Sequence, residues 1–414
     1  MSARRERAIV IATLLVGYAS FYFCRANLDA AQPLLIGTFG YTKAQLGQVA
    51  SISVMSYAIG KVVLGFLGDA IGGKRVMLLA IGGSVAATFL IGGSSGSLAA
   101  LTTLAIVNRF FQAGGWGGLV HVVSRWFPKE QHGTVMGAVS TSYELGNLVT
   151  LLLCGAIVRA GFGWRALFLI NPALFALMGL MLAFVLRGEP RYEVEKTERP
   201  PKVPLGEALP WLAKKPSFWI AVALSMLLTF IRTGFNTWTP TYLYEVGKRA
   251  GEDGAASAAM VKSAIFPAAG IVGALIVGRI SDRFGPGKRA PVMAVSLLVA
   301  CGAIFILAHT GITSTRAAAL SIGTCGLFLL GPYSLLGGAV TLDVAGTKAA
   351  STAAGIIDGV GYLGASLSGI VLGTVAQRWG WSAAFDIIGA AALTATVLST
   401  VWALAIRRKG AALD

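Results

Sequence analysis

Long apolar runs separated by short polar segments make up most of the chain. A membrane-spanning helix needs about 20 predominantly apolar residues. The pattern therefore predicts twelve transmembrane helices. The runs lie at about 8–28, 45–68, 76–96, 99–123, 133–158, 165–186, 217–243, 256–280, 290–310, 317–341, 351–376 and 382–406.

The longest polar interruption divides these runs six and six. It covers 187–216, is rich in Lys, Arg, Glu and Pro, and contains a stretch, Leu205–Lys215, that is compatible with a short interfacial helix. We therefore expect an N-terminal six-helix bundle over 1–186, a cytoplasmic linker over 187–216 and a C-terminal six-helix bundle over 217–414.

The composition and the placement of charge agree with a membrane protein. Only 13% of the residues are charged, whereas soluble domains carry about 25%. With the N-terminus in the cytoplasm, inside segments hold about 22 of the 34 Lys and Arg residues, as the cytoplasmic bias of basic residues requires. We therefore expect both termini and the linker on the cytoplasmic side of the cell (inner) membrane. Basic segments on the cytoplasmic side of a lipid bilayer then account for the net charge of +16, and no nucleic-acid partner is expected.

Two loop motifs and two tryptophans repeat at a nearly constant offset. The sequence GFLGDAIGGKR at 65–75 follows the second run, and GRISDRFGPGKR at 278–289 follows the eighth. Trp164 and Trp381, which lie near the start of the sixth and twelfth runs, are 217 residues apart. Parallel repeats are typical of transporters with a substrate site near mid-membrane. The repeat predicts an all-α membrane protein of two pseudo-symmetric six-helix bundles.

These features resemble the major facilitator superfamily, and further motifs resemble its organophosphate:phosphate antiporters, which include glycerol-3-phosphate and hexose-6-phosphate transporters. The resemblance covers nearly the whole chain and implies the major facilitator fold. The chain departs from the family at Ala26, where members have lysine, and at Glu144, where the glycerol-3-phosphate transporter has histidine. The shared motifs are Tyr18-x3-Tyr22-x2-Arg25-x-Asn27, Tyr57-x3-Lys61-x3-Gly65, Gly115-Trp116 and Arg232-x5-Trp238-Thr239-Pro240.

Few charged residues lie deep in the apolar runs, and the cations outnumber the acids. Charge within the membrane is costly and usually functional, so the excess of cations suits a polyanionic ligand. Two of the cations have a structural alternative: Lys262 can extend to the interface, and Arg109, which is otherwise a candidate for coupling, can act as an intrahelical brace. The deep cations are Arg25, Lys61, Arg109, Arg232 and Lys262, and the deep acids are Glu144 and Asp358.

Arg25 and Arg232 lie in the first helix of each half. A guanidinium group pairs through two donors with a phosphate, and symmetry-related arginines can share one oxyanion. The resemblance implies that Arg25 and Arg232 bind a phosphoryl group and that Lys61 adds a third positive contact. A structural ion pair is the alternative role for Lys61.

The acidic residues also follow the repeat. Glu144 and Asp358 are 214 residues apart, so we interpret them as symmetry-related carboxylates. Two roles are possible. Either Glu144 contacts the empty substrate site and neutralises the cations of that site, or one of the two acids carries a proton. The alternative is a hydrogen bond to a neighbouring helix. Asp69 and Asp282 either latch the bundles in one state or end their helices in simple turns.

Aromatic residues accompany the cations. By resemblance, Tyr18, Tyr22, Trp116 and Tyr362 are expected to line the substrate site, where tyrosine hydroxyl groups can donate hydrogen bonds to phosphate oxygens. Most aromatic residues in helices have packing roles, so packing remains the alternative for each of them.

Together, these observations predict a monomeric secondary antiporter that exchanges a phosphorylated organic anion for inorganic phosphate by rocker-switch alternating access. The alternative is a proton-coupled symporter of an organic carboxylate or phosphonate. A transport-like sensor that reports ligand binding to a signalling partner is a third possibility. No enzyme activity, metal or cofactor is expected, because His121, His132 and His309 lie far apart in the sequence and the four cysteines have no metal-binding spacing.

Overall fold

The computed structural model describes residues 3–189, 205–284 and 289–411, and these residues are almost entirely helical. Half of the predicted linker, 190–204, and residues 285–288 of the second loop motif lie outside the described residues. A 3-10 helix, Phe21–Cys24, and a π-helix, Leu336–Val340, interrupt the α-helical segments. The α-helices are α1 Ala3–Ser20, α2 Ala26–Phe39, α3 Lys43–Ile71, α4 Gly73–Gly93, α5 Leu98–Trp126, α6 Lys129–Arg159, α7 Trp164–Leu167, α8 Ile170–Val185, α9 Leu205–Ala213, α10 Pro216–Arg249, α11 Ala255–Ser263, α12 Ile265–Phe284, α13 Ala290–His309, α14 Thr315–Leu335, α15 Thr341–Arg378 and α16 Gly380–Ala411.

Eleven helical segments within the described residues are long and apolar enough to cross a membrane. They correspond to every predicted run except the fourth. The fourth run forms α5, a helix of 29 residues that is long enough to span a bilayer. The all-α membrane fold is therefore confirmed, and the helices are consistent with twelve spans.

The first predicted run is too short. The helical segment continues to Phe39 and ends at Gly40, whose φ of 69° is the left-handed conformation that glycine adopts without strain. The sequence prediction ends at residue 28 because Asp29 and Gln32 are polar. Both are buried inside the protein, at 8% and 2% exposure, so their polarity does not end the span.

The described helices form two compact units. The first comprises Met1–Glu198 together with Gly251–Ala264, and the second comprises Arg199–Ala250 together with Ile265–Asp414. The same pairs of helices pack in each unit. In the first unit α1 packs on α6, α3 on α5 and α4 on α8. In the second unit α10 packs on α15, α12 on α14 and α13 on α16, which are the pairs that the repeat relates.

Glycine allows the closest of these helix pairs to form. A Cβ atom at Gly146 of α6 would overlap the backbone carbonyl of Ala19 in α1. In the second unit, a Cβ atom at Gly364 of α15 would overlap the carbonyl of Met226 in α10. Small residues at such crossings let two backbones touch, which is how helices associate in a membrane.

The segment Gly251–Ala264 belongs to the first unit although it follows the first helix of the second half. Its helix α11 packs against α6, where Gly155 approaches Val261 and Ser257. Lys262 lies in α11 and its Nζ atom is 2.7 Å from Oε1 of Glu252. A neighbouring acid therefore offsets the charge of Lys262, and extension of its side chain to the interface remains a prediction.

Candidate functional site: the cationic site around Arg25

Arg25 lies where the helix of the first span is interrupted. The 3-10 helix Phe21–Cys24 separates α1 from α2, and the N–H of Arg25 donates to the carbonyl of Tyr22 at 3.0 Å. A 3-10 turn closes three residues apart rather than four, so backbone carbonyls at the break need other donors. The break turns the Arg25 side chain and these carbonyls toward α5.

Gln112 of α5 connects the break to the Arg25 side chain. The amide oxygen Oε1 accepts a hydrogen bond from Nε of Arg25 at 2.6 Å. The amide nitrogen Nε2 donates to the carbonyl of Cys24 at 2.7 Å and to that of Phe21 at 3.4 Å. Gln112 is fully buried. A single side chain therefore holds both the backbone and the cation.

Two tyrosine rings flank the guanidinium of Arg25. Its Cζ atom is 4.9 Å from the ring centre of Tyr22 and 4.8 Å from that of Tyr57. Lys61 lies one helical turn after Tyr57, and its Nζ atom is 5.8 Å from the same ring. Cation–π contacts hold a guanidinium in place without neutralising its charge. The structure thus groups Arg25, Tyr22 and Lys61, three of the predicted substrate-site residues.

Arg109 lies one turn before Gln112 on α5 and contacts the same break. Its Nη2 atom donates to the carbonyl of Arg25 at 3.4 Å and lies 4.0 Å from Oδ2 of Asp29. Both side chains are largely buried. Arg109 therefore joins α5 to the first span, a contact between helices and not the intrahelical brace of the alternative, and its part in coupling remains a prediction.

Tyr18 and Trp116 pack against each other on the α1 side of the break. Their ring centres are 5.1 Å apart in an edge-on arrangement, and Tyr18 is 5.6 Å from the ring of Phe21. Tyr18 is only 3% exposed and belongs to a buried apolar cluster, whereas Trp116 is half-buried at its edge. Their position favours packing as their first role, with substrate contact still a prediction.

The two acids that the repeat relates have different surroundings. Glu144 in α6 is 4% exposed, whereas Asp358 in α15 is exposed. The structure therefore does not give them the matched environments that the repeat suggests. Their predicted roles in neutralisation or proton transfer remain predictions.

The second unit also contains a cation beside a tyrosine ring. The Cζ atom of Arg232 in α10 is 4.9 Å from the ring centre of Tyr333, and both residues are half-buried. Tyr362 in α15 is also half-buried. Arg232 therefore shares with Arg25 the contact with an aromatic ring.

The aspartates of the two loop motifs have different partners. Asp69 lies 3.8 Å from Nδ1 of His121, and its side chain is 84% exposed. Asp282 lies 3.4 Å from Nη1 of Arg289, whose Nε atom donates to Asp343 at 3.1 Å. These contacts lie within single units, so the predicted latch remains a prediction.

Two residues at the site do not stand out in the sequence. Asp29 is absent from the predicted deep charges because the predicted first span ends too early, although its spacing of four residues from Arg25 places it one turn further on. Gln112 is noticeable only through its spacing from Arg109. Residues three apart on a helix share a face, and that spacing is the signal for a shared contact.

Three known proteins are similar to nearly the whole chain. A "Probable hexose phosphate transport protein" of Chlamydia pneumoniae is 28% identical, and the alignment covers 95% of this chain and 90% of that protein. The "Membrane sensor protein UhpC" of Escherichia coli (strain K12) is 27% identical over 94% of this chain and 90% of its own length. A "Glycerol-3-phosphate transporter" of Haemophilus influenzae is 27% identical over 93% and 88%. These relatives confirm the narrower resemblance predicted from the motifs.

Solved structures agree on the fold. A bacterial homologue of the human lysosomal transporter Spinster superposes with a TM-score of 0.76 at 18% identity, covering 97% of both chains. The nucleoside transporter NupG superposes with a TM-score of 0.72 at 16% identity, covering 95% of this chain and 98% of the other. The model of the Major Facilitator Superfamily matches residues 14–369. With its repeated helix pairs, its loop motifs and this match, the chain belongs to the Major Facilitator Superfamily.

Proposed function

We propose that the chain is a secondary transporter that exchanges a phosphorylated organic anion for inorganic phosphate by alternating access. The observation that carries the proposal is the Arg25 site, where a guanidinium contacts two tyrosine rings and Lys61 lies beside one of them. A fixed guanidinium suits an oxyanion that accepts two parallel hydrogen bonds. The names of the hexose phosphate and glycerol-3-phosphate relatives support the same ligand class.

Arg232 is the second phosphate contact in this proposal. It is the arginine of the first helix of the second half, and like Arg25 it stacks on a tyrosine ring. Tyr18, Tyr22, Trp116, Glu144 and Tyr362 complete the proposed substrate-site residues. Asp358, Asp69, Arg109 and Asp282 are proposed to act with Glu144 in coupling or gating.

Exchange in liposomes tests the proposal. Purified protein is reconstituted into vesicles loaded with inorganic phosphate, and entry of labelled phosphate is measured with and without an opposing panel of glycerol phosphate, sugar phosphates, phosphoglycerates and dicarboxylates. We expect entry to require internal phosphate and to be inhibited by at least one organic phosphate. Entry that a proton gradient drives in the absence of internal phosphate would instead support the proton-coupled symporter, which the relatives do not favour.

The similarity to UhpC supports a second candidate function, a sensor of organic phosphates. A sensor must bind its ligand but need not move it. Ligand-dependent thermal stabilisation of the purified protein separates the two candidates. Stabilisation by an organic phosphate together with no measurable exchange would favour the sensor, whereas stabilisation together with exchange supports the transporter.

We also propose that both termini and the linker face the cytoplasm and that the protein acts as a monomer. The proposed domains are the N-terminal bundle over 1–186, the linker over 187–216 and the C-terminal bundle over 217–414. A cysteine placed at the exposed residue Ser314, between the ninth and tenth predicted spans, then lies outside the cell. We expect an impermeant maleimide to label Ser314→Cys in intact cells but not Glu189→Cys, which lies at the start of the linker. The unsubstituted protein gives the background labelling of its four native cysteines.

A further inference from the structure

Gln112 has one hydrogen-bonding arrangement that satisfies all of its neighbours. The carbonyl oxygens of Phe21 and Cys24 can only accept, so the amide nitrogen must face them. The Nε–H of Arg25 can only donate, so the amide oxygen must face it. Both requirements give the same orientation of the amide, which removes the usual ambiguity between its oxygen and nitrogen.

This contact restricts how Arg25 can bind an anion. A guanidinium can bind an oxyanion along the edge formed by Nε and one Nη atom, or along the edge formed by its two Nη atoms. Nε donates to Gln112 at 2.6 Å, and the ring centres of Tyr22 and Tyr57 lie 4.9 and 4.8 Å from the Cζ atom. Nη1 lies 3.5 Å from the Tyr22 hydroxyl, a long contact that a phosphate oxygen can replace. With Nε bonded to Gln112, a bidentate oxyanion must bind along the edge formed by the two Nη atoms, of which Nη2 is buried in this conformation.

We propose that Gln112 is a positioning residue that holds Arg25 so that its two Nη atoms receive the phosphate. This inference rests on the proposed function, because it concerns the same anion site. Gln112 acts through Arg25 and not by touching the ligand. Holding a rotamer-rich side chain in its binding geometry before the ligand arrives removes part of the entropic cost of binding.

The test is a double-mutant cycle on the affinity for inorganic phosphate. Affinity is measured with purified full-length protein from labelled phosphate binding, and exchange is measured in liposomes. Gln112→Met has a similar size but cannot hydrogen-bond, and we expect it to weaken phosphate binding about tenfold, as expected for the loss of a hydrogen bond to a charged group. In an Arg25→Lys background the same substitution should change affinity less than about twofold, because the Nε partner is already gone.

Asn171→Leu is the matched control. Asn171 is also a fully buried amide of the first unit, and its Nδ2 donates to the carbonyl of Leu167 at 2.9 Å. We expect this variant to lower the unfolding temperature and to leave phosphate affinity within about twofold of the wild type, because Asn171 bonds to Leu167 and Cys154 and not to Arg25 or Gln112. A fall in affinity in Asn171→Leu as large as in Gln112→Met would show that general destabilisation explains the effect and would overturn the inference.

A second variant covers the case in which Gln112→Met does not accumulate. Gln112→Glu has the same shape and can still accept from Nε, but it cannot donate to Cys24 and it places a negative charge beside Arg25. We expect it to weaken phosphate binding more than Gln112→Met does.

The outcomes separate the two proposals. Suppose that the wild-type protein exchanges phosphate. The positioning role alone is then overturned if either Gln112 variant binds phosphate with wild-type affinity. It is also overturned if the effects of Gln112→Met and Arg25→Lys on the binding free energy are fully additive. A wild-type protein that neither binds nor exchanges phosphate overturns the proposed function, and the positioning role falls with it. Phosphate binding with a non-additive cycle supports the positioning role whether or not exchange is seen.

Discussion

The first spans of the two halves hold their arginines in different ways. In the first unit, the helix is interrupted just before Arg25. The buried side chain of Gln112 in α5 donates to the carbonyl of Cys24 at the break and accepts from Nε of Arg25. In the second unit, α10 runs as one helix of 34 residues from Pro216 to Arg249. Arg232 lies within it and stacks on the ring of Tyr333. Nε of Arg25 is thus bonded to an amide of another helix and two tyrosine rings lie within 5 Å of its Cζ atom, and Arg232 shares with it a contact with a tyrosine ring.

The sequence of α14 accounts for the difference. The repeat offset relates Gln112 of α5 to the segment 325–329 of α14, which reads CGLFL and contains no amide or charged side chain. The second half therefore has no counterpart of Gln112 in that segment. A group held before its ligand arrives binds with less loss of entropy. We therefore expect the Gln112 bond to make phosphate recognition more sensitive to a change at Arg25 than to the same change at Arg232.

The largest expected effect separates the two arginines directly. Arg25→Lys should reduce phosphate exchange about 100-fold, because lysine has no Nε donor for Gln112 and cannot present two parallel donors. Arg232→Lys should reduce exchange only about tenfold, because a lysine can retain charge and a ring contact there. The measurement is the initial rate of labelled phosphate exchange in liposomes at matched protein density.

Arg316→Lys is the control for this pair, since Arg316 is an exposed arginine near the start of α14. It should leave exchange unchanged. Equal losses in Arg25→Lys and Arg232→Lys would contradict the inferred asymmetry, and a larger loss in Arg232→Lys would reverse it.

The second prediction compares an acid in the first span of each half. Asp29 in the first unit lies 4.0 Å from Arg109. Glu245, near the end of α10 in the second unit, accepts from Nε1 of Trp381 at 2.8 Å. Asp29→Asn should lower the free energy of unfolding by about 2 kcal/mol, because Arg109 loses a buried counter-charge. Glu245→Gln should cost less than about 1 kcal/mol, because a glutamine oxygen can still accept from the indole N–H.

Thermal unfolding in one detergent measures both variants. Similar losses of stability would mean that the Asp29–Arg109 contact contributes no more than an ordinary neutral hydrogen bond. Asp29→Asn combined with Arg109→Met should recover part of the lost stability, because the uncompensated charge is then removed.

The sequence predicts the spans and the repeat well, because both depend on signals that are averaged over many residues. A run of about 20 apolar residues remains visible when one position is polar, and the paired loop motifs mark the same place in each half. The packing of α1 on α6 and of α10 on α15 follows from the same repeat.

The break at Arg25 could not be predicted in the same way. The residues FYFC, 21–24, look like an ordinary apolar stretch, but they form a 3-10 helix. Gln112, some ninety positions later, donates to the carbonyl of Cys24 at this break. The end of the first span is mispredicted because it also depends on a distant contact. The polarity of Asp29 predicts that the span ends there, but Arg109 offsets the cost of burying that carboxylate. A contact between distant residues leaves only a weak trace in a single sequence, here the spacing of Arg109 and Gln112.

The smallest expected effect concerns the loop motifs that follow the second and eighth predicted spans. The Arg289 side chain contacts both Asp282 and Asp343, whereas Asp69 is 84% exposed and lies 3.8 Å from a histidine. Asp343→Asn should therefore lower the free energy of unfolding by about 1 kcal/mol, and Asp69→Asn by less than about 0.5 kcal/mol, as for exposed pairs in water. Thermal unfolding at low and high salt checks both values, since salt screens an exposed pair most.

If Asp69→Asn nevertheless changes which end of the transporter a thiol reagent reaches, its role lies in the balance of conformations and not in the stability of one unit, which is what a latch requires. No change in either stability or accessibility would leave Asp69 as a turn residue and would remove the latch from the proposed mechanism.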